Sequence, residues 1–461
     1  MNSIAYDVAS GKDISSRISC FFKRFRIGAV LRQSNAYKEQ GVPALTVLLS
    51  LFQLIFRNRS MYLDMQAGES KGFGKDTAYR FLNSVRFNWM RFTTLLAASV
   101  IREAIDPLTG GDRMSAFIVD DSVFERNRSS KVELLARVFD HARHRYVKGF
   151  RMLTLGWSDG ATFVPVNSCL LSTENAENRL VEANPVDKRS YGAWIRRLAQ
   201  SKATDVLPEL VRQAQDAGVR AKYILFDSWF TSPKMISAMR ALKLHTVAMV
   251  KKADNLLFLY QGEKLSNKEI YRRSRKRRGR AKYLLSVMVD VCHEGVVIPA
   301  KLVFVRNRNK KSDYLVLIST DTALSEEEII QLYGKRWDIE VFFKTCKSVL
   351  NLARECRSLS YDAMCAHTAI VFTRYIFLAV AIREDKDGRS VGPLFCLVCD
   401  EIADITFSAA MEKLQLFLEK VFRKFNDCGI EFRAVLTALQ KDLPADIAAR
   451  LDLSRLLAMA C

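Results

Sequence analysis

The sequence is poor in histidine, with five in 461 residues, and its ten cysteines follow no framework. Cys396 and Cys399 form a lone C-x-x-C with no second pair at zinc-site spacing, and the histidines do not complete one. That argues against a zinc module and for free, mostly buried thiols in a reducing compartment. Long apolar runs are also missing. The longest charge-free stretch, Gln40 to Phe56, falls short of the roughly 20 residues of a membrane span. It contains Pro43, so a buried helix is expected there. The opening residues, MNSIAYDVASGKDISS, have no apolar stretch after a basic start, which speaks against a secretory signal. No repeat period or low-complexity segment stands out. These absences lead to the expectation of a soluble, cytoplasmic protein.

What is present in excess is positive charge. Seventy-one Lys and Arg against fifty Asp and Glu give +21, an imbalance that suits a polyanionic partner such as nucleic acid. The densest patch is RRSRKRRGRAK between Tyr271 and Tyr283, where eight of eleven residues are basic and none is acidic. Arg272, Arg273, Arg275, Lys276, Arg277, Arg278 and Arg280 are therefore expected to contact phosphates. A hydrophobic content of 49% is ordinary for a folded chain. The length exceeds what one hydrophobic core usually serves, so two or three domains are expected.

Residues 1–110 read as helical, with apolar residues at three- and four-residue spacing in Ala44 to Phe56 and Thr77 to Ile105. Asp76 is a candidate cap for the second stretch. From 115 the pattern turns to strands. Ser115 to Val119 is apolar and ends in Asp120 and Asp121. Met152 to Trp157 and Thr162 to Leu171 flank Ser158-Asp159-Gly160 as a hairpin would, and Pro165 places the second at a sheet edge. Two helical pieces follow, the first capped by Ser190, the second starting at Pro208 and stopping at Gly218. Tyr223 to Phe226 is a buried strand followed by Asp227, then come a helix capped by Ser232 and a strand from Thr246 to Val250. This order implies a mixed α/β sheet covered by helices. Residues 251–320 interrupt it with strands at Tyr283 to Val291, Val296 to Val305 and Tyr314 to Ser319, and are expected to form a β-rich insertion.

Phosphodiester hydrolysis or strand transfer needs an activated oxygen nucleophile and a stabilised leaving oxygen. Two divalent cations about 4 Å apart supply both, held by hard carboxylate oxygens. Acids at the ends of buried strands, such as Asp120 and Asp227, suit that task, although an Asp in that place also serves as a turn or cap. A third acid lies on a helix expected from Ile329 to Leu352, with Ser325 and Glu326 to Glu328 as its start. At roughly 100° per residue, Tyr333, Arg336, Glu340 and Lys347 share an arc of about 60°, with Lys344 beside it. Apolar residues cover much of the remaining surface, so this polar stripe is expected to face the sheet rather than solvent. Trp337, Phe342, Phe343 and Cys346 are expected to pack in the core.

Tyr333-x2-Arg336-x3-Glu340-x6-Lys347 resembles the Y-R-E-K signature of bacterial insertion-sequence transposases of family four, in the DDE superfamily. The resemblance spans roughly residues 110–385. It implies a ribonuclease-H-like core, α/β with a mixed sheet and helices on both faces, in two parts (111–250 and 321–385) separated by the β-rich insertion 251–320. A helical DNA-binding domain (1–110) precedes this core and a helical region (386–461) follows it. In the latter, stretches such as Ala409 to Phe422 would make protomer contacts.

By the same resemblance Asp120, Asp227 and Glu340 form a catalytic triad that binds two Mg2+, or Mn2+. Asp120 precedes Ser122 by two residues, as first acids in such cores commonly precede Ser or Thr, and Asp121 remains its rival on the opposite strand face. Tyr333, Arg336 and Lys347 would hold phosphates near the cleaved end. The implied protein cuts the terminal inverted repeats of its element, joins the freed 3′-OH to target DNA, works as a homodimer on DNA, and acts at the bacterial nucleoid. The alternative is a metal-dependent nuclease or resolvase on the same core that does not join. Relatives that pass through a hairpin stack a flipped base on a tryptophan in the insertion. No Trp lies between 251 and 320. Phe258, Tyr260 and Trp229 are the aromatic residues that stand nearest to that role.

Overall fold

The computed structural model describes residues 11–384, except 58–59, 62–63, 65–71, 112, 142, 278–281 and 308–312. The 386–461 region with Cys396 and Cys399, the first ten residues, and Arg278 and Arg280 lie outside the described residues. The chain divides into two compact units, and the larger, Phe22–Ile55 with Arg59–Gly392, holds every contact given below.

Helices come first: α1 (Gly11–Arg24), α2 (Ile27–Gln33), α3 (Ala44–Gln53), α4 (Lys75–Leu82) and α5 (Trp89–Val100). The charge-free run around α3 is a buried helix as expected, with Val47, Leu48 and Phe52 shut off from solvent. Thr77 to Ile105 is not one helix. It breaks after Leu82, and the Asn88 side chain accepts the Arg91 N–H at 2.8 Å to start α5 afresh. Asp76 lies inside the first turn of α4, whose N-cap is Gly74.

The strands are β1 (Ala116–Glu125), β2 (Ala136–Asp140), β3 (Arg145–Ser158), β4 (Phe163–Leu171), β5 (Tyr223–Phe226), β6 (His245–Met249), β7 (Leu257–Tyr260), β8 (Glu263–Ser266), β9 (Tyr283–His293), β10 (Val296–Arg306) and β11 (Tyr314–Ser319). They form one mixed sheet in the order β2-β3-β1-β5-β6-β11-β10-β9-β7-β8, with β4 on β3. The β1–β5 and β5–β6 pairs are parallel and the rest antiparallel. The strands within 251–320 do not stand apart from the sheet, because β11 pairs with β6 and continues it. Pro165 does lie on an edge strand. It faces Gly156 at a shift in register, where a Cβ on Gly156 would meet the Phe163 ring at 2.1 Å.

Between the strands lie α6 (Tyr191–Ala199), α7 (Ala203–Asp216), α8 (Pro233–Ala241) and α9 (Asn267–Arg273), followed by α10 (Glu326–Gly334), α11 (Trp337–Ser348) and α12 (Tyr361–Glu384). Ser190 and Ser232 cap α6 and α8, as their positions imply. Pro208 is inside α7 rather than at its start, since the helix begins at Ala203. The helix expected from Ile329 to Leu352 is two, α10 with a Ser325–Glu328 capping box and α11. Lys335, at the break, donates to the Met114 carbonyl at 2.8 Å just before β1.

α12 is long and apolar enough to cross a membrane, yet most of it is wrapped by protein. Its fully buried Arg374 donates to the Leu51 and Phe52 carbonyls at 2.6 and 3.0 Å, answering the otherwise open C-terminal end of α3. The same guanidinium pairs with Glu355 at 2.6 Å. A second buried ion cluster ties Arg196 of α6 to Glu133 and to Asp362 of α12, each at 2.6 Å. These cations fix α3, α6 and α12 around the sheet that carries the site.

Candidate active site

In β1, residues Ala116 to Val119 are fully buried, and from Asp120 to Val123 burial drops to intermediate. The change coincides with the end of β5. Ile118 pairs with Leu225, and the same register carried two residues on sets Asp120 beside Asp227. Two acids thus stand just past the point where the parallel pairing of β1 with β5 ends, at the carboxyl end of β5, the end at which open α/β sheets place their binding crevices. The strand itself does not end at these acids: β1 runs on to Glu125, paired with β3 alone.

α11 packs against β1 and β4 through its apolar face. Ile339, Phe342 and Cys346 are buried, and the Phe342 ring lies 5.1 Å from Phe163 and 4.8 Å from Tyr375. Packing that face turns the polar stripe toward β1. The Arg336 guanidinium donates to Asp120 Oδ2 at 3.0 Å and, through its other nitrogen, to Glu340. Lys347 Nζ donates to Ser122 Oγ at 2.6 Å. The Tyr333 ring centre is 5.9 Å from the Arg336 guanidinium. Burial pushes the Tyr333 hydroxyl up to about 12; Arg336 opposes the shift, and the charges of Asp227 and Asp120 add to it. Asp120, Tyr333, Arg336, Glu340 and Lys347 are thereby brought together, with Asp227 beside Asp120. Lys344 is exposed on α11.

Burial pushes the Asp120 carboxyl up to about 7; Arg336 holds it down, while Asp121 and Asp227 raise it further. Asp121 is in a different situation. It pairs with Arg151 of β3, whose guanidinium lies 4.4 Å from the ring centre of the half-exposed Trp229. In kind, Asp120, Asp227 and Glu340 fit a divalent cation: they are hard oxygen donors, and one, Asp120, is a half-buried carboxylate whose carboxylate neighbours call for more positive charge. Among the described residues, however, no three His, Cys, Asp or Glu side chains converge on one point. Arg336 is the group that Asp120 and Glu340 share.

A groove of about 1360 Å³ is lined by Asp120, Asp121, Glu340 and Lys347. The same groove is also lined by arginines that their sequence spacing gave no reason to single out, among them Arg126, Arg128, Arg354 and Arg357. They come from two loops far apart in the chain, so only the pairing of β1 with β3 and the packing of α11 reveal them. The described residues of the basic run lie elsewhere, on α9 and the loop after it, and do not line the groove. Arg272 and Arg275 are exposed, Arg273 pairs with Glu263, and Lys276 and Arg277 sit over the rings of Tyr271 and Tyr283. Trp337 is not core: it is 63% exposed, at the start of α11 next to Arg336, while Phe342, Phe343 and Cys346 are buried as expected.

No curated protein matches the chain. A family model described as DDE superfamily endonuclease matches residues 39–290, more than half of the sequence. The match takes in β1 with Asp120 and β5 with Asp227, and it stops before the helices that carry Tyr333, Arg336 and Glu340. The chain belongs to the DDE superfamily endonucleases.

Proposed function

We propose that this protein is a cut-and-paste DNA transposase that cleaves the ends of an insertion sequence and joins the freed 3′-OH to target DNA. The observation that carries this reading is the single guanidinium, Arg336, bonded to both Asp120 and Glu340, with Asp227 on the adjoining strand. Asp120 of β1 and Glu340 of α11 line one groove, and the helix residues stand at the spacing of the Y-R-E-K signature of family four.

In this reading Asp120, Asp227 and Glu340 hold Mg2+ or Mn2+, two ions per site. When bound, the ions supply an activated oxygen nucleophile and a stabilised leaving oxygen. The protein's own side chains position the DNA. Tyr333, Arg336 and Lys347 face a phosphate above Asp120, and the cations offset charge that grows on the transferring phosphoryl group. Lys347 is half-buried, and its bond to Ser122 holds it toward β1. The basic run from Arg272 to Lys282, with Lys344, grips DNA backbone outside the groove. The assembled form is a homodimer on paired element ends. The alternative, a nuclease that cuts without joining, uses the same residues.

One assay separates the two. Purified protein and Mg2+ are incubated with DNA carrying the element's ends and a target plasmid. Joined products are expected; cuts alone would establish the nuclease, and neither product would sink both readings. Glu340→Gln should bind the end DNA as the parent does and form no joined product. Unchanged joining would remove Glu340 from the triad.

A further inference from the structure

We infer that Arg128, Arg354 and Arg357 form a phosphate-binding wall of the groove that also holds Asp120 and Glu340, and that this wall clamps the DNA backbone there. The inference rests on DNA being the substrate, and it assigns this surface a role beyond the triad and the Y-R-E-K residues.

The charges of the groove do not cancel evenly. Asp120 and Glu340 share Arg336, Asp121 takes Arg151, and Glu125 takes Arg143. Arg126 spends its guanidinium on the carbonyls of Cys356 and Ser358. Arg128, Arg354 and Arg357 all line the groove and are exposed, and none has an acidic partner among the described residues. Unpaired guanidiniums lining one groove repel one another, and a row of phosphates relieves that repulsion with bidentate bonds.

The wall is also held in advance of binding. The loop between α11 and α12 places Asn351 and Ala353 in the left-handed region, at φ 54° and 67°, a conformation that non-glycine residues keep only when their surroundings enforce it. Those surroundings are visible. Leu352 N–H donates to Cys346 O at 2.8 Å, Glu355 is paired with the buried Arg374, and Glu133 N–H donates to Leu359 O at 2.9 Å. Arg126, at the end of the β1 segment that bears Asp120, is bonded to the same loop. The distance between the wall and the acids is therefore set by covalent and hydrogen-bonded connections rather than by side-chain chance. A preformed surface loses less conformational entropy on binding. Guanidiniums facing a backbone read no bases, so the grip should not depend on sequence.

The test is the salt dependence of DNA binding, measured on the full chain by fluorescence anisotropy with a labelled duplex of arbitrary sequence, in EDTA. The variant Arg128→Gln/Arg354→Gln/Arg357→Gln is compared with Arg189→Gln/Lys202→Gln/Lys234→Gln, which removes the same charge from exposed positions outside the groove. Each lost phosphate contact lowers the slope of log K against log salt by about 0.9. The wall variant should therefore lose roughly 2 to 3 from the slope, and the control should keep the parent's. An unchanged slope in the wall variant, an equal loss in the control, or no duplex binding by the parent overturns the inference. If the wall variant loses slope while the parent neither cuts nor joins element ends, the wall stands and the transposase reading fails.

Discussion

Asp120 holds a carboxylate where burial and two like charges work against ionisation, while Arg336 and the Asp121 backbone N–H, which donates to it at 2.8 Å, work for it. Asp121 is half-buried too, and burial likewise raises its pKa, but Arg151 is committed to it. The neighbours therefore differ in what a neutral isostere removes. If Asp120 is the metal ligand proposed above, Asp120→Asn should lower DNA cleavage by about a thousandfold or more, because several kcal/mol of stabilisation at the reacting phosphate would go with that oxygen. Asp121→Asn should stay within about tenfold of the parent, since it mainly loosens Arg151 from a pair that takes no part in the chemistry. Single-turnover cleavage of end DNA by the two variants measures both, and a reversed order would make Asp121 the first acid. Sequence spacing could narrow the choice to these two residues, because alternation along a strand separates their faces. Which face meets Glu340 depends on how α11 packs, and a strand pattern holds no record of that. Trp337 shows the same limit: its hydrophobicity suggests core, but it opens a helix whose buried side lies elsewhere.

Among the elements, those with local punctuation were legible and those defined by distant partners were not. Ser190, Ser232 and Ser325 announce three helices through the backbone N–H groups they cap. Ser158-Asp159-Gly160 announces the β3–β4 hairpin. β2 is short, alternates Arg137 with apolar residues, and exists only because β3 runs back far enough to pair with it. α12 is apolar on every side, so it shows no face to read. Its placement depends on charge as well as apolar contact: Arg196 bridges Glu133, in the loop before β2, to Asp362 in its first turn. Arg196→Met leaves two buried carboxylates without a cation and should cost about 3 to 5 kcal/mol of stability. Urea unfolding of the parent and the variant reads this directly. A loss under about 1 kcal/mol would mean the cluster is solvated and structurally idle.

For the molecule as a whole, the consequence lies in how stability depends on pH. His367 sits in the middle of α12, buried, with its Nε2 lacking a hydrogen-bond partner among the described residues. Burial pushes its imidazole down to about 4; Glu355 pulls the other way, and Arg374 and Arg126 reinforce the drop. In the unfolded chain the same group titrates near 6.5. Between those values the unfolded state binds the proton and the folded state does not, so acid favours unfolding. The contribution is complete above about pH 6.5, declines as pH falls, and is exhausted near pH 4. From pH 7 to pH 5 it removes about 2 kcal/mol. A chain with an excess of 21 positive charges loses further stability in acid as its carboxylates protonate, so the absolute decline does not isolate His367. The difference between proteins does. His367→Gln has no proton to gain, and its stability should fall by about 2 kcal/mol less than the parent's between pH 7 and pH 5. Denaturant melts at the two pH values measure that difference. Parallel losses would show that the folded protein admits a proton at His367, and with it that this part of the core opens to water.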